Sequence, residues 1–433
     1  MNKELEYAND LLNFINESQT SFHAVDKVSS ILENNGYIKL EEEKRWNIKP
    51  GYKYYVTKND SALIAFSVPN TEIYKYGFKI IGAHTDCPCF RIKPNPEIKV
   101  ENSYLKLNTE VYGGPILNTW LDRPLSIAGR VSLKSDDILR PINKLVNIKR
   151  PIAIIPNLAI HMNRQVNKGV ELNRQKDILP IIATINNKFN EDEYLINLLC
   201  EELKIQKEDI LDFDLFLYEC EKGVIMGANN EFISSSRLDD LELVHSALTA
   251  MVKSSSKSGC NILALFDNEE VGSGTKQGAD SPFLKSVLER IIYSMGMDKE
   301  DYFRALSRSF LISADSAHGV HPNFLEKVDP TNRPVINKGP VIKISAAHKY
   351  TSDSDSSSVY EEICKNAKVP YQKFVNRSDE IGGSTIGPIS SSHINIRSVD
   401  IGNPLLAMHS IRELAGVLDH TYAKQSFEYF YNL

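Results

Sequence analysis

Several apolar runs in this chain stop at His, Asp and Glu residues. FKIIGA (78–83) is nearly continuous in apolar character and runs straight into His84, Thr85 and Asp86. A run of that kind suits a strand covered on both faces, as in a parallel or mixed sheet packed by helices. CNILALFD (260–267) reads as a buried strand and is followed at once by Glu269 and Glu270. SFLISAD (309–315) reads as another, delivering Asp315 and then His318. SSSRLDD places Asp239 at the start of a helix, and LLAMHS places His409 after one more apolar run. Ligands of open α/β sheets bind beyond the carboxyl ends of the strands. A sheet that carries imidazoles and carboxylates to that edge is building a site.

Each residue has an ordinary alternative. Asp239 alone would be a helix N-cap, and Asp267 to Glu270 alone a surface polar turn. Together they are harder to dismiss, because several like charges buried at one edge are costly unless a cation neutralises them. Mixed imidazole and carboxylate donors suit Zn²⁺, Co²⁺ or Mn²⁺ rather than Ca²⁺ or Mg²⁺. Two His and three carboxylates, one of them shared, can serve two divalent ions about 3.5–4 Å apart. Asp86, two residues after His84, is placed to accept the other ring N–H of that histidine. Glu269 and Glu270 are adjacent and cannot point the same way, so one can ligate while the other acts as base.

The rest of the chain divides by texture. Residues 2–35 read as helices, with strands at 53–57 and 62–68. From about Pro94 to Phe232 short β-like pieces dominate (SYLKLN, LSIAGRVSL, RPIAIIP, DFDLFLYEC), with a helical stretch at 191–206. From Ser234 the α/β rhythm returns: helices at 238–253, 282–293 and 357–367, a strand at 340–346, and a closing helix over 411–431. The reading is an α/β protein with a mixed sheet, residues 1–93 and 233–433, carrying a β-rich insertion at 94–232. GGSTIGPI (382–389) lacks the Gly-Lys-Ser/Thr ending of a phosphate loop and reads as a close-packed turn near the site.

Partners are bounded by charge. With 50 basic and 56 acidic residues the net charge is −6, so nothing draws the chain strongly to nucleic acid or to an anionic membrane. No apolar run approaches the ~20 residues of a membrane span, and the first residues lack the apolar core of a signal peptide. Six cysteines without scaffold spacing, Cys87 and Cys89 included, read as reduced thiols and point to the cytoplasm.

Eight segments resemble, in order, the aspartyl aminopeptidase family of dinuclear zinc metallopeptidases: GAHTDCPCFRIKPNP, VYGGPILNTWLDRPLSIAGRV, LAIHMNR, FISSSRLDDL, LFDNEEVGSGTKQGA, ISADSAHGVHPNF, GGSTIGPI and LLAMHSIREL. The resemblance implies an α/β/α metallopeptidase catalytic domain with an inserted β-rich dimerisation domain. It implies that His84 and Asp315 bind one metal, Glu270 and His409 the other, that Asp239 bridges them, and that Glu269 is the general base. His318, Lys343 and Tyr350 fall at substrate-contacting positions. His161 matches a histidine donated across a subunit interface. The implied assembly is a tetrahedral dodecamer acting on small peptides. Two stretches depart from the pattern: Cys87 stands where the family has Ser, and Ala346 to Lys349 differ before the tyrosine.

The expected activity is removal of the N-terminal residue, acidic residues preferred, by a water shared between the two ions. Two rivals stay open. One is a neutral or broad aminopeptidase, which a panel of N-terminal substrates separates. The other is a catalytically silent peptide-binding scaffold, which would not need Glu269.

Overall fold

The computed structural model describes residues 3–186, 193–255, 257–380 and 382–433. The chain forms two compact units. The first comprises Met1–Asp86, Gly223–Met408 and Glu413–Leu433; the second comprises Cys87–Lys222 and His409–Arg412. The second unit starts at Cys87 and its main segment ends at Lys222, where the sequence reading set its limits at 94 and 232. The strand Cys89–Val100 belongs from its start to the second unit's sheet, whereas Val224–Met226 and Phe232–Ser235 pair within the first unit.

The first unit is built on a nine-stranded mixed sheet. Its order is Tyr37–Leu40, Lys53–Lys58, Ala62–Ser67, Cys260–Phe266, Phe78–His84, Phe310–Ala314, Arg397–Gly402, Val341–Ile344 and Gln372–Val375. Cys260–Phe266, Phe78–His84, Phe310–Ala314 and Arg397–Gly402 run parallel, with Phe266 beside His84 and Ala314 beside Ile401. Their carboxyl ends therefore share one edge. Side chains alternate across a strand, so these strands need apolar residues on both faces. Ile80, Ile262, Ala264 and Phe266 join Phe283, Val287, Leu288, Ile291 and Ile386 in one core. The odd-numbered Ile81, Leu263 and Leu265 are equally buried on the opposite face, where Leu238–Lys253 and Val417–Tyr431 pack.

The second unit is a six-stranded antiparallel sheet in the order Ile142–Asn147, Leu125–Leu133, Ile210–Glu219, Cys89–Val100, Tyr104–Tyr112 and Ile181–Thr184. Phe90, Trp120, Ile127, Leu198, Leu199, Leu215 and Leu217 form its core, with the Phe90 and Trp120 rings edge to face at 4.7 Å. The short segment His409–Arg412 belongs here for a physical reason. Ile411 lies in this core, and Arg412 Nη2 stands 3.0 Å from Glu219, whose carboxylate is fully buried.

Three sequence expectations need correction. The closing helix spans Val417–Tyr431 only, because Glu413–Gly416 is extended and pairs with Phe232–Ser235. RPIAIIP makes only isolated bridges, from Ala153 to Leu125 and from Ile154 to Ile181. GGSTIGPI is more than a turn, since its Ile386 opens the helix Ile386–Ile394, with Pro388 in the first turn where a missing N–H costs nothing. Of the helix expected at 191–206, Tyr194–Leu203 is helical, and 191–192 lie outside the described residues.

Candidate metal centre

His84 is the last residue of its strand and is almost wholly buried. Its backbone N–H donates to Asp240 Oδ2 at 3.2 Å. Its Nδ1 lies 3.0 Å from the carbonyl oxygen of Asp86. A carbonyl only accepts, so Nδ1 carries a proton, and Nε2 is the nitrogen that would bind a ligand. That Nε2 stands 3.5 Å from Asp239 Oδ1. Asp86 does orient the ring, but mainly through its backbone; its Oδ1 is farther away, at 3.5 Å.

The Asp86 carboxylate is used elsewhere. Oδ1 accepts the Glu269 N–H at 3.1 Å, and Oδ2 the Glu270 N–H at 3.2 Å. These glutamates open the short helical turn Glu269–Val271 directly after the strand Cys260–Phe266. Asn268 makes the reversal with φ of 63°, and its Oδ1 accepts from Thr275 and Gln277, both at 2.8 Å.

Asp239 and Asp240 head the helix Leu238–Lys253 but have non-helical backbone angles. Asp239 is therefore no ordinary N-cap. Its N–H donates to Glu413 Oε2 at 3.0 Å, and the Asp239–Asp240 peptide is cis. Asp315 follows the strand Phe310–Ala314, its N–H donating to Ile401 O at 3.0 Å. Lys343, in the strand Val341–Ile344, puts its ammonium 2.9 Å from Asp315 O, 3.2 Å from Ser316 O and 3.6 Å from Asp315 Oδ1.

These elements converge. One ligand atom each from His84, Asp239 and Asp315 lie within 4.8 Å of one another, and so do one each from His84, Glu269 and Glu270. Burial, with Asp315, Asp239 and Asp86 close by, pushes the Glu269 carboxyl up to about 8. Burial likewise raises Asp240 and Asp315, the latter against the pull of Lys343. His84 is held well above its usual range because the surrounding carboxylates outweigh its burial. So much buried acid around one imidazole fits a divalent cation.

Residues 14–431 match the family described as Aminopeptidase I zinc metalloprotease (M18). The chain belongs to the M18 family of zinc metalloprotease aminopeptidases. A probable M18 family aminopeptidase 2 from Clostridium novyi is 63% identical over the full length of both chains. A cryo-EM structure of the Ape4 and Nbr1 complex matches with TM-score 0.94 at 38% identity, covering 99% of this chain and 86% of that one. The S. cerevisiae mApe1 dodecamer matches with TM-score 0.84 at 26% identity, covering 98% and 95%. The M18 assignment makes the protein a metal-dependent aminopeptidase with a mixed α/β fold.

The remaining expected residues of this M18 chain are distributed as follows. His318 lies three residues past Asp315 in the two-residue strand Ala317–His318, exposed, with its ring 6.0 Å from that of Phe374. Tyr350 is buried with Ala317, Val341 and Phe374, and Lys343 Nζ stands 5.3 Å from its ring. His161 and His409 belong to the second unit. His161 is exposed on an irregular stretch, and His409 holds its Nδ1 3.1 Å from Gly114 O at a φ of 66°. Sequence reasoning missed Asp240 and Glu413, which hold the backbones of His84 and Asp239. The doublet in SSSRLDD was the available signal for Asp240; Glu413 lay inside a stretch read as helix.

Proposed function

We propose that this M18 aminopeptidase uses two divalent ions, Zn²⁺ by preference, to remove acidic N-terminal residues from small peptides, as an aspartyl aminopeptidase. In this reading His84 and Asp315 hold one ion, Glu270 and His409 the other, and Asp239 both. The observation that carries it is the buried convergence of His84, Asp239 and Asp315 beside Glu269 and Glu270. When bound, the ions polarise the scissile carbonyl and lower the pKa of the attacking water. Glu269 takes a proton from that water and returns it to the leaving amine. Its raised affinity for a proton suits it to both transfers. Asp86 keeps the Glu269 backbone in place through the 3.1 Å hydrogen bond. Tyr350, and His161 donated from a neighbouring subunit, are the proposed donors to the developing oxyanion. His318 and Lys343 contact the substrate. A cytoplasmic, tetrahedral dodecamer is the proposed assembly, of which the number of subunits is supported by the dodecameric yeast relative.

A second reading, broad specificity, is favoured by one observation. Lys343 is buried and already gives hydrogen bonds to Asp315 O and Ser316 O, with Asp315 Oδ1 at 3.6 Å, which leaves little of its ammonium for an acidic side chain. One experiment tests both readings: metal analysis of the purified protein, with hydrolysis of N-terminal Asp, Glu, Leu and Ala substrates before and after chelation. Acidic preference that vanishes with the metal supports the first reading. Metal-dependent hydrolysis of all four at similar rates supports the second, and chelator-insensitive hydrolysis rejects both.

A further inference from the structure

Asp400 is a fully buried carboxylate in the strand Arg397–Gly402, and the chemistry proposed above gives it no role. Its two oxygens reach two separate loops. Oδ2 accepts the backbone N–H of Thr351 at 2.6 Å, and Oδ1 accepts the hydroxyl of Thr385 at 2.7 Å. Its backbone is tied to the first loop as well, since Asp400 N–H donates to Ser352 Oγ at 2.9 Å.

Thr351 follows Tyr350, whose ring lies 5.3 Å from Lys343 Nζ, an ammonium 3.6 Å from Asp315 Oδ1. Thr385 is the residue before the helix Ile386–Ile394, yet its side chain does not cap that helix. The hydroxyl is given to Asp400 instead. The carboxylate in turn lies at the start of the helix: a Cβ on Gly387 would come within 2.6 Å of both its oxygens, so a larger residue there would displace the carboxylate. The two loops also meet directly, Ser384 Oγ donating to Lys349 O at 3.5 Å. On the other side, the antiparallel pairs Val341 to Gly402 and Ile342 to Ile401 bring the strand of Lys343 beside that of Asp400, and the Lys343 ammonium favours the ionised carboxylate. The buried charge is thus offset by an ammonium, two donors and a helix N-terminus.

We propose that Asp400 is a positioning residue for substrate binding: its carboxylate locks the loop after Tyr350 to the loop at Thr385 and so fixes Tyr350 where its ring lies beside Lys343. This rests on the reading that the N-terminal residue of the substrate binds there. A carboxylate accepting at both oxygens cannot be replaced by an amide, because one end of the amide would meet a donor with a donor.

The test uses Asp400→Asn, Thr385→Val and the double variant of the metal-loaded enzyme. Each single change is expected to raise KM about tenfold, the scale of one hydrogen bond to a charged group. The double variant is expected to raise it little further, since both changes break the same lock. Metal content stays at the wild-type value, and kcat falls no further than KM rises, since the Tyr350 loop is loosened but its hydroxyl is kept. Hydrogen exchange supplies a readout that needs no turnover: segments 349–352 and 382–387 should both exchange faster in either variant. Unchanged KM and exchange with a lower melting temperature would overturn the proposal, as would kcat falling together with metal content. If Asp400→Asn fails to fold, Thr385→Val carries the test. If the wild type hydrolyses nothing, the aminopeptidase reading fails by itself. Exchange then decides the lock: coupled loosening supports it, and unchanged exchange removes it.

Discussion

Asp86 holds Glu269 by its backbone, Oδ1 to N–H at 3.1 Å, while its own carbonyl oxygen fixes the ring of His84. One residue therefore sets both the proposed ligand His84 and the proposed base Glu269. Replacing Asp86 by Asn turns an acceptor toward the Glu269–Glu270 turn into a donor. Activity or metal affinity should fall by about 10–100-fold, the usual cost of losing a partner that orients a ligand. Steady-state kinetics with metal titration checks this, and wild-type values for both would remove Asp86 from the site's support.

Lys343 is expected to act as an internal counter-cation. Its pKa is raised, Asp315 and Asp400 outweighing its burial. Lys343→Met leaves those carboxylates without compensation, a loss on the order of 3–5 kcal/mol for a buried charge set. A bound cation at Asp315 would replace part of the missing charge. Urea midpoints should therefore drop further in chelated than in metal-loaded protein. An equal drop in both would show that Lys343 does not neutralise Asp315.

A second buried cluster of the first unit sets an acid limit on stability. His420 Nε2 lies 3.1 Å from His245 Nδ1, and its Nδ1 3.0 Å from Ser246 Oγ. Glu242 stands 3.7 Å away, and the Tyr7 ring stacks on His420 at 4.2 Å. Burial, then His245 and Lys424, holds the His420 pKa well below the usual histidine value. The folded state thus refuses a proton that the unfolded chain accepts from about pH 6.5 downward. The stability from this group is complete above that pH and is lost as pH falls below it. Urea unfolding at pH 7.5 and 5.0 should show the loss, and His420→Gln should flatten it. A variant with the wild-type slope would assign the effect to other groups.

The strands at the core of the sheet and the residues at their ends were legible in sequence because both faces of those strands are apolar and the polar residues begin where the strands stop. The places of His84, Glu269, Glu270 and Asp315 could be read this way, and that of Asp239 from the helix it heads. Supporting carboxylates could not. Asp400 and Glu413 sit within strands, and nothing local distinguishes a buried acceptor for a distant N–H from a surface acid. The closing helix was overextended because Ile411 to Gly416 has helical apolar spacing, and only pairing with Phe232–Ser235 makes Glu413–Gly416 extended. The boundaries of the insertion were misplaced because Cys89–Val100 resembles the strands on either side of it, and sheet membership is a long-range property.

The most direct measurement is metal content and peptide hydrolysis on Glu269→Gln beside the wild type. The account predicts two equivalents of metal in both proteins, with kcat of the variant lower by about 10²–10⁴-fold, as for loss of a general base. A variant that keeps both its metal and wild-type turnover would contradict it.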